Sequence, residues 1–162
     1  MTTKIIVFDL DETLGYFSQF GAFMDCLYFF LQKDASKLQE NAFDLILDLY
    51  PEFLRPKILT ILNYLKYQKV DGNCYKMMIY TNNNGPKSWS QSLVNYFENK
   101  LNFKLFDQII SAFKINGQQV ELGRTSHGKQ YNDLMRCTKV PNDAEILFLD
   151  NTLYKDMLHD SV

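Results

Sequence analysis

The sequence predicts an α/β fold built on a mainly parallel sheet. Three observations predict it. Ile5 to Phe8, Met77 to Tyr80 and Ile146 to Leu149 are continuous apolar runs of strand length, the pattern of strands buried on both faces. Longer segments of helical periodicity separate them, and strands alternating with helices imply parallel crossovers. Each run also ends in polar residues: Asp9 and Asp11, Thr81 and Asn82, Asp150 and Asn151. Open parallel sheets carry their sites at the carboxyl ends of their strands.

Taken in order, residues 4 to 9 are the first strand and residues 10 to 15 a loop, with Gly15 as a flexible exit. Residues 17 to 33, rich in Phe, Tyr, Leu and Met, and residues 36 to 50 read as two helices. Pro51 closes the second. Pro56 opens a further helix to Tyr67, with Ile58, Leu59, Leu62 and Leu65 on one face. Asp71-Gly72-Asn73 is a turn, and Tyr75 to Tyr80 is the second strand. Pro86 and Ser88 begin a helix that runs to Leu101 and turns Trp89, Leu93, Tyr96 and Phe97 to the sheet. Gln108 to Ile115 is expected as a third strand. Asn116-Gly117 is a hairpin signal, so Gln118 to Leu122 should pair back as a short antiparallel edge. A loop over 123–128 leads to a helix from Lys129 to Arg136, and Pro141-Asn142-Asp143 turns into the last strand.

The chain has 162 residues, enough for one domain with a full core. Residues 16 to 50 form a helical insert after the first strand and a candidate small cap. The net charge of −2 provides no global basic field for nucleic acid or an anionic membrane. No stretch has the length of a membrane span, and the chain enters a strand at once, with no signal peptide ahead of it. The three cysteines, Cys26, Cys74 and Cys137, are odd in number and far apart. Free thiols in a reducing intracellular compartment, cytoplasm or nucleus, account for them most simply.

The carboxylates of Asp9, Asp11 and Asp150 and the amide oxygen of Asn151 all sit at strand ends. Such a set suits a hard, oxygen-seeking cation such as Mg²⁺. Thr81 offers a hydroxyl at a neighbouring strand end.

In their order, these residues resemble the haloacid dehalogenase (HAD) superfamily, whose members are mostly Mg²⁺-dependent phosphatases. Asp9-Leu10-Asp11-Glu12-Thr13 is similar to the family's first motif, Thr81 to its second, Lys129 to its third and Asp150-Asn151 to its fourth. The resemblance implies a three-layer Rossmann-like fold with helices on both faces. It assigns Asp9 as nucleophile and Asp11 as the acid that protonates the leaving oxygen and later activates water. Mg²⁺ would be held by Asp9, the backbone carbonyl of Asp11 and Asn151, with Asp150 as a water-mediated partner. The Thr81 hydroxyl, the Asn82 backbone N–H and Lys129 would hold the phosphate. Arg124 and Lys114 compete for the role of Lys129, and Thr13 fixes the loop.

Phe8 to Leu14, Leu54-Arg55-Pro56, Ile79-Tyr80-Thr81 and Leu149-Asp150-Asn151 further resemble the FCP/SCP-type carboxy-terminal-domain phosphatases. That likeness implies a phosphorylated Ser or Thr in a protein as substrate. Asn82-Asn83-Asn84 and the helical insert are closer to phosphatases of small metabolites or nucleotides. The charge balance argues against a nucleic-acid end as substrate. A non-catalytic binding or regulatory module on the same fold is the reading of a different class.

Overall fold

A computed structural model describes residues 3–31, 42–160 and 162. Among them are β1 (Lys4–Phe8), α1 (Phe17–Leu31), α2 (Ala42–Leu49), α3 (Ile58–Val70), β2 (Lys76–Tyr80), α4 (Lys87–Leu101), β3 (Gln108–Ile110), β4 (Lys114–Ile115), β5 (Gln118–Gln119), α5 (Tyr131–Thr138) and β6 (Glu145–Leu149). Short 3₁₀ turns follow α2 at Pro51–Phe53 and β6 at Lys155–Met157.

Four strands form one parallel sheet in the order β3-β2-β1-β6. The chain moves outward from β1 to β2 to β3, then returns past both to place β6 on the free side of β1. The order therefore reverses between β1 and β6, where a crevice opens at the carboxyl ends of the strands. Phe8 lies level with both Ile79 and Leu149. One residue further on, Asp9 stands beside Asp150, and the Asp9 N–H continues the ladder to the Leu149 carbonyl at 2.8 Å.

The strand period of two divides the apolar runs between two cores. Phe8, Met77 and Ile79 join Phe17, Phe20, Leu47, Leu62, Leu93 and Phe97, so α1 to α4 cover one face. Ile5, Val7, Met78, Tyr80, Ile110 and Ile146 join Leu134 of α5 and Met157 on the other. The unbroken apolar runs of β1 and β2 fit strands buried on both faces, whereas β6 is an edge strand whose Leu147 is 53% exposed, so its apolar run is not explained by two buried faces.

Several boundaries differ from the sequence reading. Strand β1 ends at Phe8, so Asp9 already belongs to the loop. The stretch from Gln108 to Ile115 is two strands. β3 leaves the sheet after Ile110, and β4 pairs with β5 in a separate hairpin. Asn116 (φ +51°) and Gly117 (φ +80°) supply its left-handed turn, and pairing covers Gln118–Gln119 instead of continuing to Leu122. Helix α3 starts at Ile58 and runs to Val70, because Lys57 sits at φ +63° and cannot be its first turn. Residues 32–33 and 36–41 of the two expected early helices lie outside the described residues.

Gly15 is no flexible exit. A β-carbon there would come within 2.6 Å of the Phe17 ring and of the Phe53 carbonyl oxygen. Its missing side chain allows the loop to pack against that turn, and Tyr16 N–H then binds the Phe53 carbonyl at 2.7 Å. The aromatic residues of α1 also divide. Phe17 and Phe20 are fully buried, while Phe29 and Phe30 are 76% and 82% exposed and contribute to no core.

Candidate active site

Around the strand reversal lies a cleft of about 340 Å³, lined by Asp9, Asp11, Glu12, Asn82, Asn83, Lys129, Asp150, Asn151 and Tyr154, among others. A larger cavity of about 720 Å³, beside Lys4, Tyr64, Cys74 and Leu147, lies at the opposite ends of the strands and holds none of the expected site residues.

Lys129 is the electrostatic centre of the cleft. Its Nζ donates to Asp9 Oδ1 at 2.5 Å and to Asp150 Oδ2 at 2.6 Å, with all three side chains almost wholly buried. The Tyr80, Phe148 and Tyr154 rings surround it at 5.5–5.8 Å, favouring a cation between their faces. Helix α5 was expected to start at Lys129; it starts at Tyr131. Gln130 is extended (φ −132°), so Lys129 reaches the cleft from a loop.

The loop after β1 is held in one shape. Glu12 adopts φ +61°, a left-handed conformation that L-residues adopt only under constraint. The Glu12 N–H donates to the Gly15 carbonyl at 2.7 Å, and the Leu14 N–H to the Leu10 carbonyl at 3.0 Å. Thr13 acts as a fixing residue: its hydroxyl donates to Asp9 Oδ2 at 3.3 Å and accepts the Asn151 N–H at 3.2 Å. It thereby joins the β1 loop to the β6 loop.

Asp11 stands in a different environment. Its Oδ2 accepts from Asn83 Nδ2 at 2.8 Å, while its Oδ1 is buried with no partner among the described residues. The Asn83 side-chain oxygen Oδ1 accepts the Gly85 N–H at 2.8 Å, which fixes the amide orientation. Burial pushes the Asp11 carboxyl above its ordinary range, and the Asn83 bond offsets this only in part. Burial also raises Asp9, against the downward pull of the adjacent Lys129 ammonium.

Thr81 is 1% exposed, and its hydroxyl oxygen accepts the Asn83 N–H at 3.0 Å. That bond uses a lone pair and leaves the hydroxyl proton to donate. Asn82 lines the cleft; its carbonyl oxygen accepts from Arg124 and its amide donates to Tyr154. Arg124, weighed in the sequence against Lys129, is buried as a clamp and binds the carbonyls of Thr81, Ser111 and His127 at 2.9–3.1 Å. Lys114 lies in the β4–β5 hairpin, its ammonium over the Phe113 ring. Asp150 is fully engaged, its Oδ1 accepting the Thr152 N–H at 2.8 Å. Asn151 is exposed, with no side-chain bond among the described residues.

Asp9, Asp11, Lys129, Asp150, Asn151 and Asn82 thus line one cleft, with Thr81 immediately beneath it. Two contributors were missed. Asn83 stood within the polar run after β2, but its grip on Asp11 spans 72 residues. Tyr154 lies in an irregular segment with no periodic signal.

Among the described residues, no three His, Cys, Asp or Glu side chains converge into a ready metal cluster. The donor set nonetheless suits a hard divalent cation. Every candidate ligand is an oxygen, and the carboxylates of Asp9 and Asp150 share a single ammonium, which leaves net negative charge for a cation to offset. Comparisons of the chain with models of known protein families, with curated proteins and with solved structures give no match.

Proposed function

We propose that this chain is a Mg²⁺-dependent phosphatase of the HAD type that hydrolyses a phosphomonoester through an aspartyl-phosphate. One observation carries the reading. At the strand reversal, Asp9 is fixed against Lys129, while Asp11 beside it keeps one buried carboxyl oxygen without a partner among the described residues. Two carboxyls in such different surroundings suit two different roles.

Asp9, ionised against Lys129, attacks phosphorus in line. The bond from phosphorus to the ester oxygen breaks, and Asp11 gives that oxygen its proton. The Asn83 amide occupies Asp11 Oδ2, so the proton resides on Oδ1. Water then attacks the phosphorus of the acyl phosphate, Asp11 takes up its proton, and the bond to Asp9 breaks. Inorganic phosphate leaves and both carboxyls are restored. The Thr81 hydroxyl, the Asn82 N–H and Lys129 hold phosphate oxygens. Asp9, the Asp11 carbonyl and Asn151 would hold Mg²⁺, with Asp150 as a water-mediated partner. The bound cation would neutralise charge on the phosphate.

The substrate reading that fits best is a phosphorylated Ser or Thr in a protein. The cleft adjoins a second depression of about 390 Å³ between α1 and Trp89, and the two share Ser18, Asn83 and Asn84. A leaving group much larger than a hydroxyl has room there. A small-metabolite or nucleotide phosphate is the competing reading, favoured by the polar Asn82–Asn84 run.

The test is hydrolysis of a chromogenic aryl phosphate by wild type and Asp9→Asn, with and without Mg²⁺, followed by phosphopeptide and metabolite panels. Metal-dependent turnover that Asp9→Asn abolishes is expected. A wild-type rate no greater than that of Asp9→Asn with Mg²⁺, Mn²⁺ or Ca²⁺ would favour the non-catalytic module instead.

A further inference from the structure

Arg124 sits 1% exposed, and its hydrogen-bond partners are all neutral oxygens. A guanidinium has donors only and keeps its charge. Its Nη2, at 2.7 Å from the Asn82 side chain, therefore forces Asn82 to present its carbonyl oxygen inward. The Asn82 amide nitrogen must then face the other way, where it meets the Tyr154 hydroxyl oxygen at 3.1 Å. An amide nitrogen can only donate, so Tyr154 accepts this bond, and its own proton has to go elsewhere. No described residue takes it. Tyr154 lines the cleft, and its ring stands 5.5 Å from the Lys129 ammonium. An ordinary phenol keeps its proton at neutral pH, and burial pushes that of Tyr154 upward.

We propose that Tyr154 donates its hydroxyl proton to an oxygen of the bound phosphate, and that Arg124 and Asn82 are positioning residues that set the direction of that donation. The proposal rests on the phosphatase reading for the identity of the ligand. Its content is a chain of polarity: a fixed cation orients an amide, and the amide orients a hydroxyl. Tyr154 thereby completes the set formed by Thr81 and Lys129 from the side of the cleft that β6 provides.

The test measures binding of inorganic phosphate to the full chain by calorimetric titration, with and without Mg²⁺, beside KM and kcat for an aryl phosphate. Tyr154→Phe keeps the ring beside Lys129 and removes only the hydroxyl. Its phosphate affinity is expected to fall roughly ten- to a hundredfold, as for one hydrogen bond to a charged group. KM is expected to rise while kcat changes less than about threefold. Asn82→Asp is isosteric and keeps an acceptor for Arg124, but offers Tyr154 an acceptor as well and turns its proton inward. Asn82→Asp should therefore cost more affinity in wild type than in Tyr154→Phe. Phosphate binding by Tyr154→Phe within twofold of wild type, or equal losses from Asn82→Asp in both backgrounds, would overturn the assignment. Wild type that binds phosphate through Tyr154 but turns nothing over would sink the phosphatase reading and leave the donor in place. Wild type that does not bind phosphate at all would sink both.

Discussion

Replacing Lys129 with Met would remove the ammonium that two buried carboxylates share. Asp9 and Asp150 would then face each other with no compensating charge, and breaking a buried ion pair from one side costs about 3–5 kcal/mol. Lys129→Met should lose that much stability in urea unfolding at neutral pH, along with all turnover. Adding Asp9→Asn should recover part of the stability and none of the activity, because one of the two opposed charges is gone. A double variant as unstable as Lys129→Met would show that the loss comes from packing alone. At this scale the legible residues were those at the ends of apolar runs: Asp9, Asp11, Thr81, Asp150 and Asn151. Tyr154 and Asn83 were not legible, since each acts through a partner 72 residues away. Arg124 and Lys129 could not be told apart by composition, and burial separates them. One ends on backbone carbonyls, the other on carboxylates.

Helix α5 owes its placement to Asp133, which the sequence reading passed over. Its buried carboxylate accepts the Thr125 N–H and hydroxyl, both at 2.9 Å, and pairs with Arg136. This ties the helix to the loop that carries Lys129. Burial alone would raise the Asp133 pKa. The Thr125 bonds and Arg136 outweigh it and hold the folded-state value below the ordinary one. The folded pKa is thus below the unfolded value of about 3.9. The contribution is complete above that value and is lost as pH falls through the folded pKa. Asp133→Asn should destabilise the chain by about 1–3 kcal/mol at pH 7, because the Thr125 donors lose their charged acceptor. The gap to wild type in denaturant midpoint should narrow below about pH 4, and a gap that stays constant to pH 2 would contradict the linkage. Gly117, at φ +80° with open space around it, offers a contrasting case. Gly117→Ala should cost about 1 kcal/mol through backbone strain alone, measured by thermal unfolding. That turn was legible because Asn-Gly specifies it locally. The break of β3 after Ile110 was not, because it falls where its only ladder partner, β2, ends at Tyr80 opposite Ile110, and the Ser111 carbonyl beyond it binds Arg124 instead.

Across the whole molecule, alternation of strand and helix carried the α/β class, and polar residues at strand ends carried the side of the sheet on which a site forms. The uneven layering, four helices on one face and α5 on the other, was not legible. It follows from where the strand order reverses, and the hydrophobic period contains no information on that. The same reversal gathers the carboxylates of Asp9 and Asp150 around the single Lys129 ammonium, a charge imbalance built into the fold. Anything that binds the folded state and relieves it must stabilise the whole chain by mass action. At a free Mg²⁺ concentration of a hundred times its dissociation constant, that linkage amounts to about 2.7 kcal/mol. For a chain of this length it corresponds to a rise of roughly 5–10 °C in the melting temperature. Mg²⁺ should therefore raise the melting temperature over that in EDTA, and Asp9→Asn should lose most of the rise by giving up a ligand. NaCl at matched ionic strength should not reproduce it, since screening acts weakly on buried charges. Equal melting temperatures in Mg²⁺ and EDTA would mean that Lys129 alone balances the cleft, and the Mg²⁺ assignment would fall while the fold stands.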